Sequence, residues 1–300
     1  MAVDTFFVLS GFVIEHAYGC ELRSGMSFRR FAVIRLIRLY PLYIIGLMIG
    51  IVLSGVMLAS KSSYSVPVST LMILIAAGLF YVPTSIKPDA YPLNVPSWSL
   101  FYELVVNAAY AVLVRWLSNR ILYVVAGMSF VGFAAFASNT GNTQVGPDLH
   151  DWAAASLRTV FSFTMGVLIY RHQRATWINP AVIIAVVAAS ILLPVSVEWR
   201  TAYDLICVAI LFPISIWLIA GRESERLTPV FRALGRISYA AYAIHYPMIW
   251  LVRGIADRLA LPMAITGLAF IIALVGGCYA LDRLYDMPVN RWLKRHILAR

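Results

Sequence analysis

Charge is what this 300-residue sequence has least of. Asp, Glu, Lys and Arg make up 13% of it, about half of the roughly 25% usual for a soluble domain. Long polar linkers, low-complexity runs and internal repeats are also missing. Apolar residues fill 61% of the chain, and the mean hydropathy is +0.80. These values exclude an ordinary water-soluble domain and fit a polytopic membrane protein.

Cysteine and histidine are scarce too. Cys20, Cys207 and Cys278 stand far apart, and the five histidines form no His-x-x-x-His or similar cluster. Neither a disulfide framework nor a zinc site follows from such spacing, so no metal is expected. Acidic residues are outnumbered by basic ones, 14 to 24, for a formal charge of +10. The basic residues lie mostly between apolar segments, with no nucleic-acid module or basic-aromatic surface. The excess therefore reads as membrane topology and not as nucleic-acid binding. The first apolar stretch has no basic lead-in and contains Asp4, unlike a cleavable signal peptide.

What is present is a succession of apolar segments at about 2–18, 39–60, 67–83, 98–117, 121–138, 152–170, 180–197, 202–220, 238–253 and 262–282. Most have the roughly 17–25 residues that cross a bilayer as a helix. The expected fold is all-α: a polytopic transmembrane helix bundle of about nine to ten segments. It forms one membrane domain over 1–285, followed by a basic tail over 286–300.

Lys and Arg set the expected sidedness. The 19–38 connection carries Arg23, Arg29, Arg30, Arg35 and Arg38. The 221–237 connection carries Arg222, Arg226, Arg232 and Arg236. The stretch after 282 carries Arg283, Arg291, Lys294, Arg295 and Arg300. These three are expected on the cytoplasmic side. The 139–151 loop has no Lys or Arg and holds Asp148 and Asp151, so it is expected outside. Strict alternation fails once, within 39–97. The short 67–83 segment is followed by Pro83, Pro88, Pro92 and Pro96, which cannot continue a helix. A re-entrant or broken element is expected over 67–97, lining a cavity or packed inside protein. The same count puts Met1 outside, as though an inward-to-outward helix should precede it.

Polar residues inside apolar helices need a reason, because a mid-bilayer charge costs on the order of 2.5–3.5 kcal/mol. Asp4, Gly11 and Glu15 share one face of the first helix. Ser99, Glu103 and Asn107 recur every fourth residue as a polar stripe. Ser238, Tyr242 and His245 share a face at i, i+4 and i+7, and Pro247 leaves the carbonyl of Ala243 without its helical donor. Histidine is the usual proton-transfer side chain near neutral pH. Arg35 and Arg38 project together, and arginine forks hold phosphates. Each group also has a plain structural reading: surface placement for Asp4 and Glu15, a packed histidine, topology for the arginines, and a buried pair of Glu103 with Arg158.

In this order, these stretches resemble the membrane-bound acyltransferase 3 family. The pieces are Asp4-Thr-Phe-Phe-Val-Leu-Ser-Gly-Phe12, Arg35-Leu-Ile-Arg38-Leu-Tyr-Pro41, Trp98-Ser-Leu-Phe-Tyr-Glu103, Arg158 to Gly166, and Ser238-Tyr-Ala-Ala-Tyr-Ala-Ile-His245. The closing Tyr285-Asp-Met-Pro288 is loosely similar to the family's aromatic-acid-x-Pro ending. The resemblance implies an enzyme of the bacterial inner membrane. Its donor would be acyl-CoA, usually acetyl-CoA, and its acceptor a hydroxyl of a carbohydrate or glycosylated molecule.

The residues expected to carry the chemistry are Glu103, His245 and Asp4, with Arg35 and Arg38 on the CoA phosphates. Trp98, Arg158, Ser238 and Tyr242 would support them, Arg158 pairing with Glu103 or Asp4. The family's first helix usually carries an arginine and a histidine with no counterpart here, so the chain reads as starting at the family's second helix. In a complete relative that histidine would be the base and His245 a supporting residue. A transporter or flippase of a sugar- or lipid-linked substrate, or an inactive truncated membrane protein, fits the same inventory.

The sidedness count yields a labelling result. A cysteine placed at Asp89 should react with an impermeant maleimide added outside intact cells. Reaction only after the cytoplasm is exposed would overturn the broken-element assignment.

Overall fold

The computed structural model describes residues 2–62, 65–174, 178–220 and 228–298. Its helices are α1 (Ala2–Ser24), α2 (Phe28–Ala59), α3 (Val68–Leu79), α4 (Ser97–Leu113), α5 (Asn119–Thr140), α6 (Trp152–Arg171), α7 (Pro180–Leu192), α8 (Val197–Ile206), α9 (Phe212–Ala220), α10 (Thr228–Arg258), α11 (Met263–Leu281) and α12 (Met287–Ile297). Single π-turns continue α8 into α9 and α11 into α12. No strand occurs among the described residues, and the all-α expectation holds. Among the described residues, five helical runs are long and apolar enough to cross a membrane: Phe28–Ala59, Asn119–Thr140, Leu149–Arg171, Val197–Ala220 and Met263–Ile297. Large apolar side chains such as Met128, Leu268 and Ile272 point outward on them, as lipid-facing residues do.

Helix ends differ from the hydropathy reading in one region. The 19–38 connection is mostly helix, because α1 runs to Ser24 and α2 starts at Phe28. Arg29, Arg30, Arg35 and Arg38 therefore sit in the first turns of α2. Arginine ends an apolar run but is a good helix former, so the backbone continues through it. The tail is likewise helical, as α12. Arg222, Arg226 and Arg300 lie outside the described residues, and Arg232 and Arg236 are placed on α10 by backbone alone.

The chain divides into two compact units, residues 1–31 with 101–224 and residues 32–100 with 225–300. In the first, α1 and α6 run parallel. Asp4 meets Arg158, Gly11 meets Phe163, and Glu15 meets Arg171. Two glycines allow the close approach. A Cβ on Gly11 would lie 2.0 Å from the Phe163 carbonyl oxygen, and one on Gly166 would lie 2.0 Å from that of Val8. Small residues at a membrane-helix contact let the backbones themselves pack.

In the second unit, α2 and α10 also run parallel. Tyr239 Oη donates to the Leu39 carbonyl, and the backbone at Gly46 abuts the Ala243 carbonyl. Helix α3 has 12 residues and is therefore about 18 Å long, well short of the ~30 Å hydrocarbon core. It runs back along α2 and ends where Tyr40 Oη donates to Leu79 O (2.7 Å) and Tyr43 Oη to Gly78 O (2.6 Å). The irregular chain that follows returns along α2, and Leu93 O packs against Gly50. Its own groups are paired inside protein: Thr84 N donates to Ala90 O and Tyr91 Oη to Tyr81 O. This is the broken element expected over 67–97. Irregular backbone at such depth survives only where protein satisfies it.

The buried pair at the head of α1 generates a stability result. Asp4→Ala leaves Arg158 buried without its counter-ion and should cost about 3–5 kcal/mol, read as a lower unfolding temperature in detergent. Asp4→Leu combined with Arg158→Met should recover much of the loss. A double variant no more stable than Asp4→Ala would remove the pair from the account of this helix contact.

Candidate functional site

Each unit contributes a set of polar side chains. In the first, α4 and α6 also run parallel. Tyr102 Oη donates to Trp152 O (2.8 Å), Ser156 Oγ donates to Tyr102 Oη (3.3 Å), and the Tyr110 and Phe163 rings meet edge-on at 5.7 Å. Glu103, buried on α4, accepts a hydrogen bond from Ser10 Oγ of α1 at 3.3 Å. One turn on, Asn107 is also buried, at the level of Thr159 and Ser162 on α6. The Asn107 amide nitrogen and oxygen, Thr159 Oγ1 and Ser162 Oγ have no hydrogen-bond partner among the described residues. Such atoms cost about 1–3 kcal/mol each when buried without a partner. Ile14, Val106, Tyr110, Phe163 and Val167 form an apolar cluster beyond them.

Two ion clusters bracket this polar layer. Toward the start of α1, Arg158 Nε and Nη2 fork onto the two Asp4 carboxylate oxygens, each at 2.6 Å. Of its two expected partners, Arg158 thus forks onto Asp4. Its Nη1 also donates to the Thr143 and Val145 carbonyls at 3.2 Å, which pins the 141–148 loop to the bundle. With both carboxylate oxygens held by one guanidinium, the geometry of Asp4 suits positioning. At the other end, Glu15 Oε1 accepts from Arg171 Nε (2.8 Å) and Arg23 Nη1 (2.9 Å). Glu15 is 2% exposed, so both arginines meet it inside the protein. Arg171 also donates to Leu117 O and Asn119 Oδ1, tying the α4–α5 loop to α1.

In the second unit the polar residues form a column along α2 and α10. Arg38 lies over the Tyr239 ring and donates to Asp286 Oδ2 at 3.2 Å. Arg35 is part-buried one turn earlier. Farther along, Tyr242 Oη lies 2.5 Å from Ser99 Oγ and donates to Pro96 O, which fixes α10 against the start of α4. Trp98 is buried beside them in sequence. His245 Nδ1 faces the carbonyls of Tyr242 (2.8 Å) and Ala241 (3.2 Å). Carbonyls only accept, so Nδ1 carries the proton and Nε2 holds the basic lone pair. Ser238 is exposed and donates to Gly235 O within its own helix, so the shared face joins Tyr242 to His245 more closely than either to Ser238.

One partner escaped the sequence reading. The Ala243 carbonyl, deprived of its helical donor by Pro247, accepts from Asn94 Nδ2 at 2.9 Å. The signal was half visible, since the orphan acceptor could be named but its donor lies 149 residues away. Among the described residues, no group of three or more His, Cys, Asp or Glu side chains is gathered as a metal site would need.

Comparison with known proteins supplies the family. A stretch of 129 residues is 39% identical to "Protein 2 in picA locus" of Rhizobium radiobacter, covering 39% of this chain and 65% of that protein. The chain thus spans just under two thirds of that relative's length. No solved structure gives a significant match. The family description of the acyltransferase domain, acyltransferase 3, matches residues 1–283. With that match over nearly its whole length, the chain belongs to the acyltransferase 3 family of membrane acyltransferases.

Proposed function

We propose that the protein is an O-acyltransferase of a bacterial inner membrane. It takes an acyl group, typically acetyl, from acyl-CoA and places it on a hydroxyl of a carbohydrate or glycosylated acceptor. The start of α2 and the C-terminus then face the cytoplasm, where acyl-CoA is found. The observation that carries this reading is the column on α2 and α10, with a guanidinium at one end and, farther along, a histidine whose tautomer is set by helix carbonyls.

In this reading Arg35 and Arg38 hold the CoA phosphates. The Asp286 bond occupies one of the five N–H donors of Arg38. His245 Nε2 takes the acceptor's hydroxyl proton as its oxygen attacks the thioester carbonyl. The imidazolium returns that proton to the departing CoA sulfur. Glu103 orients a base or the acceptor, and Asp4 acts through Arg158. General acid–base help of this kind contributes about 10²–10⁴-fold.

Purified protein should bind acetyl-CoA, and Arg35→Ala with Arg38→Ala should weaken that binding at least tenfold. His245→Asn and Glu103→Gln should abolish acyl transfer while leaving the protein in the membrane and its acetyl-CoA affinity within about twofold, in line with groups that act only on the transition state. A transporter or a non-catalytic protein would not bind acetyl-CoA. Full transfer by Glu103→Gln would remove that residue's role.

A further inference from the structure

The first unit has an apolar groove of about 170 Å³ where α4, α5 and α6 meet. Of its eleven lining residues, Tyr110 and Thr164 alone have a polar side-chain atom. Phe163, Val167 and Leu122 form a buried floor, while Ala109 and Leu113 at the rim are exposed. The α4–α5 turn bounds the groove through Leu117, whose carbonyl is held by Arg171.

Size and lining narrow the occupant. Water needs two to four polar partners, which this lining does not supply. A partner helix is too bulky, since one turn about 10 Å across and 5.4 Å long fills roughly 400 Å³. An alkyl chain is slender and wholly apolar, and the surrounding bilayer is made of such chains. The Tyr110 hydroxyl is buried on the groove wall with no hydrogen-bond partner among the described residues. It is placed to donate to an ester carbonyl at the head of a chain.

Charge narrows it further. From residue 104 to residue 147 the sequence has no Asp or Glu, and its two charges are Arg115 and Arg120. Arg115 stands between the groove residues Leu113 and Leu117, and Arg120 stands two residues before the groove residue Leu122. Both arginines are exposed, and neither side chain has a hydrogen bond or ion pair among the described residues. Trp116 and Tyr123, 66% and 55% exposed, flank them as aromatic side chains do at a membrane surface. The same end of the unit also carries Arg23, Arg171 and Arg174 against Glu15 and Glu21, so its positive charge exceeds its negative charge. Guanidinium groups grip phosphate, and an acid-free mouth disfavours a headgroup that adds its own cation.

We infer that this groove seats one acyl chain of an anionic phospholipid, with Arg115 and Arg120 on its phosphate. In the orientation proposed above, this end lies in the cytoplasmic leaflet, where anionic lipids collect. The bound chain braces α4, which carries Glu103, against α6. Lipid binding here does not depend on the acyltransferase reading.

The test uses the full chain, stripped of lipid in dodecyl maltoside and offered dioleoyl phosphatidylglycerol, dioleoyl phosphatidylcholine or glycerol 3-phosphate. Native mass spectrometry should show phosphatidylglycerol retained at least about fivefold over phosphatidylcholine, and glycerol 3-phosphate lost. Arg115→Gln with Arg120→Gln should bring the two lipids to one level. Ala109→Phe, which puts a ring into the groove, should lower retention of phosphatidylglycerol. A phosphatidylglycerol with a diazirine in one chain should cross-link the wild-type protein within 106–125 in preference to 263–281, so the outcome stands even where Ala109→Phe does not fold. Equal retention of the two lipids by the wild type, an unchanged preference in the double variant, retention of glycerol 3-phosphate, or cross-links shared evenly with α11 would overturn the assignment.

Discussion

A buried carboxylate held by a buried guanidinium organises the first unit. Asp4 and Arg158 lose water together, and neither could be buried alone without heavy cost. Their fork sets the register of α1 against α6, and that register places Gly11 and Gly166 where the two backbones touch. The same register brings Ser10 to Glu103 at one level and Glu15 to Arg171 at another. The spare nitrogen of Arg158 then fastens the 141–148 loop through two carbonyls. Helix contact, loop and polar layer thus depend on one ion pair.

The second unit is joined differently, by side-chain donors that reach helix or turn carbonyls. Tyr239 bonds Leu39, Asn94 bonds Ala243, Tyr43 bonds Gly78, and Tyr242 bonds Pro96. Inside a bilayer an unsatisfied carbonyl has no water to turn to. Each break in helical hydrogen bonding, whether at Pro247 or after α3, is therefore an anchoring point for another element. The broken segment over 80–96 is held by the same logic. With α2 and α10 it walls a cavity of about 240 Å³ and supplies Lys87 and Asp89 from irregular backbone, which a straight membrane helix could not do.

The two units carry different polar groups. Glu103 and the partnerless polar atoms around Asn107 belong to the first, while the arginines, His245 and the cavity belong to the second. Within the second unit the order along α2 and α10 is guanidinium, histidine, cavity.

The sequence by itself determined the helical class, the membrane setting, the broken element after α3, and the polar stripes containing Glu103 and His245. Each of these follows from hydropathy, proline chemistry or spacing along one helix, which are local properties. Only the tertiary structure decided that Arg158 takes Asp4, that Glu15 is buried between two arginines, that Asn94 answers the Ala243 carbonyl, and that Trp250 and Lys87 share a cavity. These pairings depend on the register between helices far apart in the chain. That register comes from backbone contacts at a few glycines and from ion pairs whose partners a linear pattern leaves open.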